Sequence, residues 1–396
     1  MVGADLQRHY QVALTENLFQ NTLHKLAECI GSRATLLVTT PTVAELYGST
    51  LQRELKLRGI SVPMMLIRSS EISKTLSQVE HICSQAYAHG LGRKSVLIGM
   101  GGGVCTDLVT MAASLFRRGI GYIRIPTTLM GQVDAGIGVK GAVNTLQRKS
   151  AFGCFYPPQA VFLDPAFLRT LPLRHISAGL AEIIKVALVG DKRLFPLLEE
   201  HVQQLLESRF AFPKDRSRTV LWRSVVKMLE ELGGNLYECQ GYKRVMDFGH
   251  TFSPLLEARS EFRLLHGEAV AIDMALTLVL ANHLGFLSDR GRDSALSLIA
   301  ASGLPITSEL LTEELCVESF RQSTAHRGDA LNLALPTDSD SVEFVQRAEE
   351  IPISRLRLSL TWLASSTRLS WRRFTVDAAP AGTPVPKNLD TCNLGE

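Results

Sequence analysis

Three groups of residues in this 396-residue chain have types and spacings that could do chemistry. The first is SVLIGMGGGVCTDLV (95–109), in which an apolar run meets Gly101, Gly102 and Gly103 and then a helical pattern. Glycines there let a backbone approach a pyrophosphate, whose charge is favoured at a helix N-terminus. A plain strand-to-helix turn would need the same glycines, and the run is not GxGxxG, because Val104 and Asp107 intrude. The second group runs from Arg117-Arg118-Gly119 through Pro126-Thr127-Thr128 to Asp134, Lys140 and Asn144. Small residues mixed with Asp, Lys and Asn suit a loop that faces a ligand or, equally, water. The third group is Glu182, His250 and His266, with Lys185 three residues beyond Glu182 on one helix face. Two imidazoles and a carboxylate form a catalytic zinc set with an open fourth position. Histidines at helix starts are also common as purely structural, hydrogen-bonded groups.

The elements that must position these groups are legible as patterns. Residues 34–39 (ATLLVT), 63–67, 95–98 and 121–125 read as buried strands, and 43–57, 72–89 and 104–116 read as helices between them. That alternation predicts βαβ units and a mainly parallel sheet. From about Arg169 helical periodicities take over, at 175–188, 195–206, 218–232, 252–259, 268–284 and 293–300. The expected architecture is an α/β nucleotide-binding domain over 1–168 and an all-α domain over 169–350. Residues 351–396 are a divergent tail, helical at first and disordered over 377–396.

Composition narrows the function classes. With 42 basic and 39 acidic residues the formal charge is +3, without the basic excess of a nucleic-acid binder. The seven cysteines are odd in number and make no CxxC, so reduced thiols in a cytoplasmic protein are expected. The start, MVGADLQRHYQ, has no apolar stretch after a basic residue, so no secretory signal is expected. The most apolar window, 269–287, is broken by Asp273, Asn282 and His283 and fits a buried helix better than a membrane span.

The blocks GGGVCTD, RRGIGYIRIPTTLMGQVDAGIGVK, FYPP, SAGLAEIIK, DFGHTFSP and LLHGEAVAIDM, in this order, resemble the dehydroquinate synthase-like sugar phosphate cyclases. The resemblance runs from about Leu36 to Val345. It implies a Rossmann-like NAD domain, a helical metal-binding domain, an active site in the cleft between them, and a homodimer. Position by position, Gly101, Gly102, Gly103, Val104 and Asp107 match the pyrophosphate loop. Thr127 and Thr128 match nicotinamide-side contacts, and Glu71 and Lys74 match a charged pair near the adenosine. Asp134, Lys140 and Lys149 match polar groups around substrate and nicotinamide, and Glu182, His250 and His266 match the ligands of zinc or cobalt. Lys185 and Lys227 match substrate-binding lysines, and Arg118 an arginine reaching the neighbouring subunit's substrate phosphate. Asp134, Lys140, Lys185 and His250 are the candidate catalytic residues.

Departures point to a branch. Where dehydroquinate synthases carry RxxxNxGHTxGH, this chain has Lys243, Asp247 and Pro254, Lys243 and Asp247 being by this match expected substrate contacts, and Ser150 replaces the asparagine of a GKN motif. An aspartate repels a substrate carboxylate but accepts hydrogen bonds from a hydroxymethyl group. These changes, and HRGDALNLALPT (326–337), resemble the branch that cyclises sedoheptulose 7-phosphate. The implied reaction is transient oxidation by NAD, phosphate elimination, re-reduction and intramolecular aldol closure. 2-Epi-5-epi-valiolone is favoured as product over 2-epi-valiolone and demethyl-4-deoxygadusol. A dehydroquinate synthase and a metal-dependent alcohol dehydrogenase are the alternatives.

Overall fold

The computed structural model describes residues 9–145, 149–238, 243–326, 328, 330–339, 341–366 and 372–374. The first half alternates β1 (Gln11–Leu14), α1 (Leu23–Ile30), β2 (Thr35–Thr39), α2 (Pro41–Val43), α3 (Ser49–Lys56), β3 (Met64–Leu66), α4 (Leu76–Ala88), β4 (Val96–Gly101), α5 (Gly103–Leu115) and β5 (Gly121–Pro126). An antiparallel hairpin of β6 (Lys140–Val143) and β7 (Phe152–Phe155) follows, then β8 (Ala160–Leu163). Six strands form one parallel sheet in the order β1-β8-β5-β4-β2-β3.

Side-chain alternation explains why the sheet is covered on both faces. Leu36, Val38 and Leu97 pack with α4 and α5, whereas Leu37, Val96, Ile98 and Met100 pack with α1 and α3. Strand order reverses between β2 and β4, which makes the crevice beyond their C-terminal ends the place where such sheets take ligands. The three glycines stand there.

The second half is built from α6 (Leu173–Val189), α7 (Leu194–Glu207), α8 (Lys214–Gly233), α9 (Ser253–Arg259), α10 (His266–His283), α11 (Asp289–Ala301), α12 (Glu313–His326) and α13 (Ile353–Ser365). It also carries short strands, β9 (Pro305–Ser308), the antiparallel pair β10 (Leu333–Pro336) and β11 (Val342–Val345), and β12 (Arg372–Phe374) alongside β9. α10 is the apolar window read from sequence. From Gly267 to Ala281 it is buried throughout, because α6, α9, α11, α13 and β9 surround it. Among the described residues, no helix is long and apolar enough to cross a membrane.

Several expectations need correction. The helix expected from residue 72 begins at Leu76, because Thr75 caps it through Gln78 N and Ser70 closes a separate 3-10 turn over Glu71–Ser73. The Asp134–Asn144 stretch is a π turn (Gly131–Ala135) followed by a paired strand, not a structureless loop. β1 and β8 escaped prediction because four-residue strands are too short to show a period. The helical body does not end at residue 350, since Leu356 and Leu363 of α13 are buried in its core. The expected disorder over 377–396 lies outside the described residues, as do Arg327 and Asp329.

One core carboxylate carries a stability signature. Asp273 on α10 is fully buried and accepts from the backbone N–H groups of Phe252 (2.5 Å) and Ser253 (2.8 Å), where α9 starts. Burial pushes its carboxyl up to about 6, those N–H groups offsetting part of the effect. A folded-state value above the ordinary 3.8 means the native protein holds this proton more tightly than the unfolded chain. Its contribution is therefore present below pH 3.8 and lost as pH rises to about 6, a change on the order of 3 kcal/mol. Denaturant titrations should show this slope in the wild type and a flatter one in Asp273→Asn; identical slopes would remove the argument.

Candidate active site

Two shells of polar groups face each other where the halves meet. On the nucleotide side, β4 delivers Gly101, and α5 starts at Gly103 with Gly102 as its N-terminal flank. A Cβ on Gly102 would lie 3.0 Å from Thr128 Cγ2, so the missing side chain lets the Thr127-Thr128 turn close over the loop. Thr127 N donates to Gly101 O at 2.9 Å, and Thr128 Oγ1 accepts from Gly131 N at 3.1 Å. Val104 forms the first turn of α5, and Asp107 lies one turn further on. Asp107 Oδ2 meets Lys74 Nζ at 2.5 Å, and Glu71 Oε1 lies 3.7 Å from the same ammonium. Asn144 Nδ2 donates to Glu71 Oε1 at 2.9 Å, tying the hairpin to this pair. Burial works against the Lys74 charge, but Asp107 and Glu71 outweigh it and hold its pKa above the ordinary value.

The turn that follows is held from behind by an arginine that sequence reasoning passed over. Arg124 on β5 is fully buried and donates to Gly136 O (3.2 Å), Gly138 O, Lys140 O (2.8 Å) and Thr110 Oγ1 (2.6 Å). It thereby fixes the backbone between Asp134 and Lys140. The signal was present: a lone charged residue inside the buried strand GYIRIP.

On the helical side, α6 carries Glu182 and Lys185, both buried, on one face. Lys185 is ion-paired with Glu182 and lies within electrostatic reach of Asp134 and Asp247. Burial alone would lower its pKa; the three carboxylates outweigh that and hold it above the ordinary value. Glu182 Oε1 lies 3.8 Å from His250 Nε2 and 3.6 Å from His266 Nε2. The three ligand atoms fall within 4.8 Å of one another.

The geometry of this trio fits a metal ion. Glu182 Oε1 is buried and accepts no hydrogen bond, an expensive state for a carboxylate oxygen unless a cation completes it. His250 Nδ1 donates to Phe248 O at 3.2 Å and His266 Nδ1 to Glu257 Oε1 at 2.8 Å, which leaves both Nε2 lone pairs facing Glu182. Burial, with Lys185 and His266 nearby, drives the His250 pKa well below its ordinary value, so the ring stays neutral as a ligand must. One carboxylate and two imidazoles leave coordination positions open for substrate.

Close packing sets the position of His266. It is the first residue of α10, whose start is held by Glu268, accepting from Leu265 N at 2.9 Å and bridged by Arg174 at 2.7 Å. A Cβ on the next residue, Gly267, would sit 1.9 Å from Ala178 O of α6. Gly267→Ala must therefore push α10 off α6, at a cost of ~3 kcal/mol or more. We expect loss of metal binding together with a lower Tm, read by metal content and calorimetry; a wild-type value of both would contradict the close approach.

The remaining site residues divide. Asp247 is buried, and Arg244 NH2 donates to its Oδ1 at 2.7 Å; Arg244 also pairs with Glu238, which in turn pairs with Lys140. Lys243, expected to face this position, is exposed; the 3-10 turn Val245–Asp247 aims Arg244 at it instead. Lys149 meets Glu257 at 2.5 Å. Lys227 is held on its own helix by Glu231 (2.8 Å) and Glu230 (3.9 Å), so the structure does not bring it to the cluster. Arg118 is exposed beyond the end of α5 with a left-handed φ of 67°, away from this chain's own cleft. Glu257 and Arg244 are thus the cleft groups that sequence reasoning missed. The described cysteines are free thiols, and the Cys105 thiol is pushed up to about 12 by burial, so it is inert.

Two family models match this chain, 3-dehydroquinate synthase N-terminal over residues 64–178 and 3-dehydroquinate synthase C-terminal over residues 179–325. The chain belongs to the 3-dehydroquinate synthase family. Within it, 2-epi-5-epi-valiolone synthase of Streptomyces glaucescens is 41% identical over 365 residues, covering 91% of this chain and 93% of that protein. A 3-dehydroquinate synthase of Thermoanaerobacter sp. is 32% identical, covering 87% and 96%. The solved structure of ValA, the 2-epi-5-epi-valiolone synthase of Streptomyces hygroscopicus subsp. jinggangensis, with NAD+ and Zn2+ bound, superposes with a TM-score of 0.87 at 38% identity, covering 92% of this chain and 99% of that one. The α/β plus helical architecture is therefore that of the dehydroquinate synthase family.

Proposed function

We propose that this protein cyclises sedoheptulose 7-phosphate to 2-epi-5-epi-valiolone with release of phosphate. The observation that carries the reading is the buried Asp247 beside Lys185, an acceptor where carboxylate-binding members resemble one another in having asparagine. The 41% identity to a 2-epi-5-epi-valiolone synthase supports the same choice.

When bound, NAD takes and returns a hydride and a zinc or cobalt ion polarises the reacting oxygen. Glu182, His250 and His266 would hold the metal. The backbone of Gly101–Gly103 at the start of α5 would receive the pyrophosphate, Val104 and Asp107 lining it, with Thr127 and Thr128 towards the nicotinamide and Glu71 and Lys74 towards the adenosine.

The chain's own groups then position the sugar. Lys185, held charged among three carboxylates, donates to ring oxygens, with Asp134 close by as an acceptor for a substrate hydroxyl. Asp247 accepts from the hydroxymethyl group. Lys140 and Lys149 neutralise the leaving phosphate, whose own oxygen serves as the base for elimination. Lys243 at the rim and Lys227 on α8 take part only if substrate binding draws their side chains inward. Arg118 acts on the phosphate of a neighbouring subunit, so the working unit is a homodimer. We further read it as a cytoplasmic enzyme without nucleic-acid or membrane partners.

The test is purified enzyme with NAD and zinc, given sedoheptulose 7-phosphate or the seven-carbon acid phosphate, with the product identified by NMR. Exclusive turnover of the acid would make it a dehydroquinate synthase. A different cyclitol would move it to the 2-epi-valiolone or demethyl-4-deoxygadusol reaction. Net accumulation of NADH would make it a dehydrogenase.

A further inference from the structure

Glu257 sits on α9, is 3% exposed, and is claimed by no step above. Its Oε1 lies 2.8 Å from His266 Nδ1 and its Oε2 2.5 Å from Lys149 Nζ. Lys149 Nζ also lies 3.4 Å from His266 Nδ1, but two donors cannot bond each other, and the shorter contacts to the carboxylate decide the arrangement. We propose that Glu257 is a positioning residue: one oxygen fixes the His266 tautomer with Nε2 free for the metal, and the other anchors Lys149 over the same cleft. This deepens the metal reading given above and rests on it.

A carboxylate is acceptor-only, so His266 must donate through Nδ1, and its lone pair is confined to Nε2. Nε2 is the atom that faces Glu182 Oε1 at 3.6 Å. An ionised partner also raises the imidazole's basicity towards a metal, which is the usual work of a carboxylate behind a histidine ligand. Lys149 Nζ, 2.5 Å from Glu257 Oε2, supplies the counter-charge that a buried carboxylate needs. The second contact links two elements distant in sequence. Lys149 follows the β6 strand that also carries Lys140 and lies five residues beyond Asn144, whereas Glu257 belongs to the helical half. One buried anion thus registers the metal ligand against the hairpin of the nucleotide side.

The experiment uses full-length protein labelled with 15N-histidine, wild type and Glu257→Gln, together with Lys149→Met. In metal-free wild type, the His266 nitrogen shifts should report the Nδ1–H tautomer; Glu257→Gln should show mixed tautomers, because an amide can both donate and accept. Titrated with Co2+ against a chelator, Glu257→Gln should bind about 10–100-fold more weakly, with an altered visible absorption spectrum. Lys149→Met keeps the carboxylate on His266, so its tautomer should match the wild type and its cobalt affinity should stay within about threefold, a pattern that general loosening of the fold would not produce. An unchanged tautomer or an unchanged cobalt affinity in Glu257→Gln overturns the proposal, as does equal weakening in Lys149→Met. A wild type that binds no cobalt, or binds it equally well after Glu182→Gln, fails the metal reading instead, and the tautomer measurement still judges Glu257.

Discussion

Glu182→Gln is expected to lower kcat/KM for sedoheptulose 7-phosphate by about 10³-fold and to abolish stoichiometric zinc. The substitution preserves shape while removing the only carboxylate among the three clustered ligands. A Lewis acid at the reacting oxygen supplies several kcal/mol, and each ~1.4 kcal/mol is a factor of ten in rate. The same carboxylate is the ion-pair partner of Lys185, so the change also alters the charge balance around that ammonium. Folding should survive, because Asp134 and Asp247 still face Lys185 and an uncharged amide is cheaper to bury than an anion. Steady-state kinetics, metal content and thermal melting on one preparation separate these effects. A variant holding one zinc per chain with wild-type turnover would place the metal elsewhere.

Asp247→Asn should weaken sedoheptulose 7-phosphate turnover by about 10–100-fold, the worth of a hydrogen bond to a charged acceptor. Its effect on selectivity should be larger. Two like charges ~4 Å apart at a protein surface repel by about 4 kcal/mol, so the aspartate discriminates strongly against a substrate carboxylate. Removing its charge also frees Arg244, bonded to it at 2.7 Å, to meet such a carboxylate. The kcat/KM ratio between the sugar phosphate and the seven-carbon acid phosphate should therefore fall by more than 10²-fold, through loss on one side and gain on the other. If that ratio stays put, Asp247 does not set the specificity of this cleft.

The contrast between Lys243 and Arg244 shows where sequence reading ran out. Both are basic and adjacent, and motif alignment placed Lys243 at the substrate, yet the 3-10 turn after them points Arg244 inward and leaves Lys243 in water. Glu257 was invisible for a related reason. A glutamate on a seven-residue helix ordinarily reads as a solvated charge, and only the arrival of His266 and Lys149 from other elements makes it a buried anion. Lys227 shows the reverse case, since its own helix supplies acidic partners that a motif match does not register. Arg124 and Gly267 did leave traces, a charge inside a buried strand and a glycine at a helix start, but neither trace says which backbone it must meet.

What the sequence by itself determined is the alternation of strand and helix, the helical second half, the donor types at 182, 250 and 266, and membership in the dehydroquinate synthase family. These are properties of neighbouring residues or of motifs, and periodicity and residue chemistry encode them directly. Tertiary structure alone decided the strand order that puts the three glycines at a switch point, the direction of both imidazoles, and which cations enter the cleft. Such contacts join residues roughly 70 to 110 positions apart, as Glu182 joins His250 and Lys149 joins Glu257. No local pattern specifies them, because they form only when packing of α6 against α10 and of the hairpin against α5 has fixed the distances between the chain segments.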